Sequence, residues 1–306
     1  MALDKYIRKY LEYLEIEKGR SAKTLENYEH YLRRFSDFAK TADSPIEIDS
    51  RLIREFRLHL NRQRDQSGEP LKKQTQNYYL IALRGFLRYF ARVEEMDVLP
   101  ADRIELAKED EKKIRVLDEV QLDGFLSSPD VKTNLGRRDK AILELLFSTG
   151  LRVSELTSLN RDDINLKTRE IAVVGKGRRV RVVFVSDRAA EALVSYLEQR
   201  DDEFKPLFIR YTGGAPVMKA GEDLRLTPRS IQRLVGKYAR RAGLAIDPTP
   251  HTLRHTFATD LLREGADLRA VQEMLGHKNV STTQIYTHIT NPQLKEVHRK
   301  YHRGNK

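Results

Sequence analysis

The side chains best suited to chemistry lie in the second half of the chain. In "TPHTLRHTFATDLL", residues 249–262, Thr249 is placed to cap a helix and Pro250 to fill its first position. His251 then falls in the first turn, with Arg254 three residues on along the same face. A helix start already offers free N–H groups and the positive end of a dipole, so an added imidazole and guanidinium make a phosphate site with a proton-transfer group beside it. His255, four residues after His251, leaves a second reading open, in which both rings ligate one ion. The glutamate of a metalloprotease HExxH is missing, however, and the chain has no cysteine to supply a third ligand.

Three further stretches carry reactive groups. In "STGLRVSELTSLN", Arg152 and Glu155 stand three apart at a helix start, where a plain surface ion pair is the competing reading. Lys176 sits at the tip of a Gly-Lys-Gly turn, a place where lysines are often merely solvated. In "GHKNVSTTQIYTH", residues 276–288, Gly276 ends one helix, and Ser281 with Gln284 forms a capping box that starts another. His277 lies in the connection and Tyr286 in the second turn. A tyrosine at helical spacing is usually a packing residue, but this one has polar neighbours and arrives from a different segment than the two arginines.

Composition limits what such groups can do. The chain has 306 residues, 40% of them hydrophobic, enough for two cored domains. Without cysteine it has no disulfide, thiol nucleophile or cysteine-ligated metal. No run of about 18 apolar residues is long enough for a membrane span, and the N-terminus lacks a signal peptide's continuous apolar stretch, so a cytoplasmic, nucleoid-associated protein is expected. The net charge is +11, with residues 1–110 holding 21 basic and 20 acidic side chains and residues 111–306 holding 35 and 25. A basic second half points to a polyanionic partner. The first half has its own basic region, including Arg51, Arg54, Lys72, Lys73, Arg84 and Arg88, which reads either as a solvated face or as a DNA surface.

The elements that must position these groups follow from periodicity. Four helices are expected in the first hundred residues. Leu3, Ile7, Tyr10 and Leu14 mark the first, which Gly19 closes; Ser21 caps the second, through Leu25, Tyr28, Leu32 and Phe35. The third spans about Ser50 to Gln63 and the fourth Lys73 to Arg92. The charged stretch "PADRIELAKEDEKKI", residues 100–114, reads as a linker. Beyond it, "DKAILELLFSTG" is a buried helix ending at Gly150, and "EIAVVGKGRRVRVVFVS" is a valine-rich hairpin. Helices return after Asp187. The expected class is mainly α with a small antiparallel β-sheet.

Taken in order, Arg152 in "TGLRVSEL", Lys176 in "GKGRR", His251 and Arg254 in "HTLRHTFAT", His277 in "LGH" and Tyr286 in "TTQIYTH" resemble the tyrosine recombinase family, and within it the short Xer-type site-specific recombinases. The resemblance spans nearly the whole chain. It implies an N-terminal SAM-like helical core-binding domain over residues 1–107, a linker at 108–112 and a catalytic domain at 113–306 with a C-terminal tail at 291–306, the two domains closing on DNA as a C-shaped clamp. It further implies that Tyr286 attacks a DNA phosphodiester to give a 3'-phosphotyrosine, with no cofactor, metal or ATP. Arg152 and Arg254 would clamp the phosphate, Lys176 would protonate the leaving 5'-oxygen, His251 would assist proton transfer from the tyrosine, and His277 would donate a hydrogen bond. Glu155 would orient Arg152 or its neighbours. Arg178 and Arg179, beside Lys176, join the expected DNA contacts.

The implied function is strand exchange between two double-stranded DNA sites through a Holliday junction, resolving chromosome or plasmid dimers. It would be carried out by a homo-tetramer, or by a hetero-tetramer with a related recombinase, with a DNA translocase as possible activator. Three other readings remain: a mobile-element integrase or transposase, which the absence of an arm-binding domain before the first helix disfavours; relaxation of the type IB topoisomerase kind; and a DNA-binding protein without catalysis.

Overall fold

A computed structural model of the chain describes residues 3–40, 42–64, 68–108, 115–175, 180–211 and 219–276. The chain divides into two compact units, Met1–Lys112 and Lys113–Lys306.

The first unit is built on helices α1 (Asp4–Ile16), α2 (Ala22–Phe38), α3 (Ser50–Arg62) and α4 (Lys73–Arg92). Ser21 caps α2 by accepting the Thr24 N–H, and Asp49 caps α3 by accepting the Leu52 N–H. Both satisfy donors that a helix start leaves orphaned. Ile7, Tyr10 and Leu14 of α1, Leu32 and Phe35 of α2, Phe56 and Leu60 of α3, and Leu83, Phe86 and Phe90 of α4 are buried in one core. Each such side chain contributes roughly 1.5–3 kcal/mol.

The stretch 100–107 is not a free linker. Ala101–Arg103 form a 3-10 turn, Ile104 is fully buried in the helical core, and Asn77 exchanges two hydrogen bonds of 2.9 Å with the backbone of Ala107. One buried isoleucine and one buried asparagine fix a segment whose average composition is that of a solvated connection.

The second unit contains α5 (Glu119–Leu126), α6 (Asn134–Thr149), α7 (Val153–Ser158), strands β1 (Ile164–Asn165), β2 (Glu170–Val174) and β3 (Val180–Phe184), then α8 (Asp187–Leu197), α9 (Pro228–Arg241), α10 (Pro250–Arg263) and α11 (Leu268–Leu275). The sheet is antiparallel in the order β1-β2-β3, with Ile171 opposite both Ile164 and Val183. Its third strand was not expected, because two residues are too few to show a period. Helix α6 is central. It packs against α8 and α10, and Ile142, Leu143, Leu145 and Leu146 on it are fully buried. Its start is tied to α9 by a buried network, in which Asp139 accepts Arg138 Nη2 at 2.6 Å and the Tyr238 hydroxyl at 2.8 Å. Among the described residues no helix is long and apolar enough to cross a membrane.

Candidate active site

Two helices end against one another to form the site. Helix α6 stops at Gly150, whose left-handed backbone (φ 59°) returns its N–H to Leu146 O. Helix α11 stops at Gly276 in the same conformation (φ 64°). This is the glycine C-cap, since a side chain at positive φ is strained. Such ends leave carbonyls without helical partners and carry partial negative charge, so cations gather there.

Arg254, buried in the second turn of α10, spans both ends. Its Nη1 donates to Gly150 O at 2.5 Å and its Nη2 to Leu275 O at 2.6 Å. Thr249 caps α10 as its sequence position implies, accepting the Thr252 N–H at 3.2 Å with Pro250 at the first helical position. His251 is exposed at this helix start, and its pKa is lowered by the protein packed around the ring, then by Arg254 and Arg152. Lowering from an ordinary 6.5 favours the uncharged imidazole.

Arg152 immediately precedes α7, two residues after the Gly150 turn. Glu155 accepts its backbone N–H at 2.9 Å and its Nη1 at 2.8 Å, while Arg152 Nη2 reaches Gly276 O at 3.3 Å. The i, i+3 pairing expected from sequence is therefore present, but it is not a plain surface pair. Glu155 is only 5% exposed and also takes both terminal nitrogens of Arg181 at 2.9 and 2.7 Å, so each carboxylate oxygen accepts two donors. Burial alone would raise its pKa; the Arg181 hydrogen bonds and the Arg152 N–H outweigh it and hold the group at about 2. The remaining Arg181 donor, Nε, bonds Met274 O at 3.1 Å.

His255 follows four residues on along α10, and its pKa is lowered by burial, then by His251 and Arg254. Among the described residues no three histidine, aspartate or glutamate side chains are grouped so as to hold a metal ion. Lys176, Arg178, Arg179, His277 and Tyr286 lie outside the described residues.

Comparison with known proteins bears on this arrangement. Residues 115–292 match the Phage integrase family, and residues 7–94 match its N-terminal SAM-like domain. Among curated proteins, tyrosine recombinase XerC of Pelobacter propionicus is 38% identical over 97% of this chain and 94% of its own length. This chain is a member of the tyrosine recombinase family. Tyrosine recombinase XerD of Listeria innocua is 35% identical over 96% of this chain and 97% of its own length. Among solved structures, XerA recombinase is 27% identical, with a TM-score of 0.51, over 98% of each chain. XerH bound to palindromic difH substrate shares the fold at 24% identity, with a TM-score of 0.69 over 96% of this chain and 83% of that one.

The basic residues of the recombinase's first unit separate into different surroundings. Arg84 and Arg88 line a cleft of about 470 Å³ together with Lys18, Arg20 and Arg92 and the rings of Tyr10, Tyr13 and Tyr28. Arg51 instead pairs with Glu55 at 3.0 Å and borders Glu47 and Asp49. Arg54, Lys72 and Lys73 are exposed. Arg181 is the site residue that sequence reasoning missed. Its available signal was an arginine in register with the inward-facing Val183 of a valine-rich strand, where burial demands a partner.

Proposed function

We propose that the chain is a site-specific recombinase that cuts and rejoins duplex DNA through Tyr286. The Tyr286 oxygen forms a bond to the scissile phosphorus as the bond to the 5'-oxygen breaks, leaving a 3'-phosphotyrosine. Uncharged His251 accepts the tyrosine proton, since a phenol of pKa about 10 is otherwise protonated at neutral pH. Lys176 gives a proton to the departing 5'-oxygen. Arg152 and Arg254 hold the non-bridging oxygens with planar forks that match phosphate, and His277 adds a donor. The phosphodiester energy stays in the protein–DNA bond, so a 5'-hydroxyl from a partner strand rejoins it without ATP.

The observation that carries this reading is the convergence of Arg152 and Arg254 on adjacent carbonyls, Gly276 O and Leu275 O, with His251 on the Arg254 helix disfavoured in its charged form by burial and then by both guanidiniums. Two guanidiniums brought from different helices to one point, with a neutral base alongside, suit a single phosphate group. The basic cleft holding Arg84 and Arg88 supplies backbone contacts in the N-terminal domain; Arg54, Lys72 and Lys73 do so from other positions, while the carboxylates around Arg51 offset its charge. Residues 1–107 then serve as the core-binding domain and 113–306 as the catalytic domain. Two protomers on each of two sites, alike or paired with a related recombinase, would carry out both strand exchanges through a Holliday junction, with a DNA translocase as the class of activator and dimer resolution in the nucleoid as the role.

Mapping covalently trapped DNA across the host chromosome tests this. The wild type should give one enriched locus near the replication terminus, whereas enrichment at a mobile-element border would move the role to integration. Tyr286→Phe should bind the same DNA and give no adduct. An adduct in that variant places the nucleophile elsewhere.

A further inference from the structure

Three consecutive carbonyls at the end of α11 are each held by a different arginine: Met274 O by Arg181, Leu275 O by Arg254 and Gly276 O by Arg152. Two of the three belong to the proposed phosphate clamp. Arg181 belongs to no part of the proposed chemistry, yet all three of its guanidinium nitrogens are engaged at the site. It is nearly buried on β3, bonds Glu155 through both terminal nitrogens, and packs so closely on Gly276 that a Cβ there would lie 3.1–3.3 Å from its side chain.

We propose that Arg181 is a positioning residue of the cleavage site, one guanidinium that locks Glu155, and through it Arg152, to the backbone from which the chain continues towards His277 and Tyr286. The geometry gives each donor a separate task. The two terminal nitrogens take the carboxylate in a fork-to-fork pairing, which fixes the plane of Glu155. Glu155 so held presents its Oε1 to Arg152 Nη1 and its Oε2 to the Arg152 N–H, which restricts both the side chain and the turn that carries it. The Nε donor ties the same plane to Met274 O. Without Arg181, Glu155 keeps only Arg152 as a charged partner among the described residues, and the end of α11 loses one of the three arginines that hold its carbonyls. Arg181 touches neither the phosphate nor the reacting atoms in this account; it sets the distance between the groups that do.

The inference rests on the recombinase reading, and its test uses the full-length chain. Arg181→Met removes every donor while keeping the stem, and Arg181→Lys keeps the charge with a single point donor that cannot pair in a fork. Two readouts are needed. The first is the rate of adduct formation on a nicked duplex carrying the mapped site, set beside noncovalent affinity measured in a Tyr286→Phe background. The second is amide hydrogen exchange of residues 268–276 without DNA.

For Arg181→Met we expect affinity within about threefold of the parent, adduct formation slower by about 100-fold, the size of effect that an ångström-scale misplacement produces, and loss of protection at the end of α11. Arg181→Lys should recover part of the rate. The proposal is overturned if Arg181→Met cleaves at the parental rate, if affinity and cleavage fall together, or if Arg181→Lys is well folded and no faster than Arg181→Met. Were the wild type to form no adduct, the recombinase reading would fail, while the exchange measurement, which needs no DNA, would still decide whether Arg181 fixes the α11 end.

Discussion

Gly150→Ala is the substitution whose cost is most directly worked from the site. At φ 59° an alanine sits in the left-handed region, a strain of about 1–2 kcal/mol. Its Cβ would also lie 2.5 Å from Cδ1 of Phe257, closer than carbon atoms approach, and a tight 3.1 Å from Leu275, so Phe257 must move within the small cluster formed by Ala258, Leu262, Val271 and Leu275. Overpacking of this kind costs about 1–3 kcal/mol. Gly243 provides the control, because its φ is 67° but nothing lies within 4 Å of an added Cβ. Gly243→Ala should therefore show the backbone strain alone, and Gly150→Ala should be less stable than it by about 1–3 kcal/mol, the overpacking part. In a domain of this size that is a further drop of roughly 2–12 °C in the unfolding temperature. Because Gly150 O also receives Arg254 Nη1, Gly150→Ala should slow adduct formation at temperatures where the protein is still folded, while Gly243→Ala should not. Thermal unfolding of both full-length variants, alongside single-turnover cleavage, measures both effects. Equal stability of the two variants would refute the packing argument, since it would mean that the Phe257 ring gives way freely.

Two other expectations follow from the same residues. The Glu155 carboxyl, at about 2 against an ordinary 4.5, contributes stability that is full above the ordinary value and is lost as pH falls towards 2. The wild type should thus exceed Glu155→Gln by about 3 kcal/mol in urea unfolding at pH 7, and the gap should narrow progressively below pH 4.5, whereas a gap independent of pH would mean that Glu155 acts by shape alone. The second concerns the tail "NPQLKEVHRKYHRGNK", which lies outside the described residues and in which Leu294, Val297 and Tyr301 fall at spacings of three and four. That spacing predicts a helix too short to stand without an acceptor surface, and if that surface is the neighbouring protomer, deleting residues 292–306 should spare binding to a half-site and weaken cooperative binding to a full site. Equal loss on both substrates would place the tail in its own domain's core.

What the sequence made legible was local. The Ser21 and Thr249 caps, the Gly150 and Gly276 stops and the Arg152–Glu155 pair each involve residues within four positions of one another, where spacing alone fixes who can meet whom. Arg181 was not legible, because its partner Glu155 is 26 residues away and the meeting depends on which face of β3 turns inward. The Gly150 O and Leu275 O partners of Arg254 were hidden for another reason: they are backbone carbonyls, which every residue possesses, so no residue type marks them. Ile104 was lost in the average of a charged stretch.

The hidden part is also where the mechanism is stored. A guanidinium aimed at an empty space would fold back or pair with a carboxylate, and a phosphate would then have to displace a full charge. Here Arg254 rests on two carbonyl dipoles, and Arg152 divides its donors between Glu155 and Gly276 O. Carbonyls at helix ends hold a cation in place more weakly than a phosphate does, so an arriving phosphate can share or take the donors that rest on them. On the proposed chemistry, the left-handed glycines that end α6 and α11 therefore do more than stop two helices. They expose the acceptors that keep the clamp open, oriented and charged before DNA enters, which is the preorganisation that electrostatic stabilisation of a transition state requires.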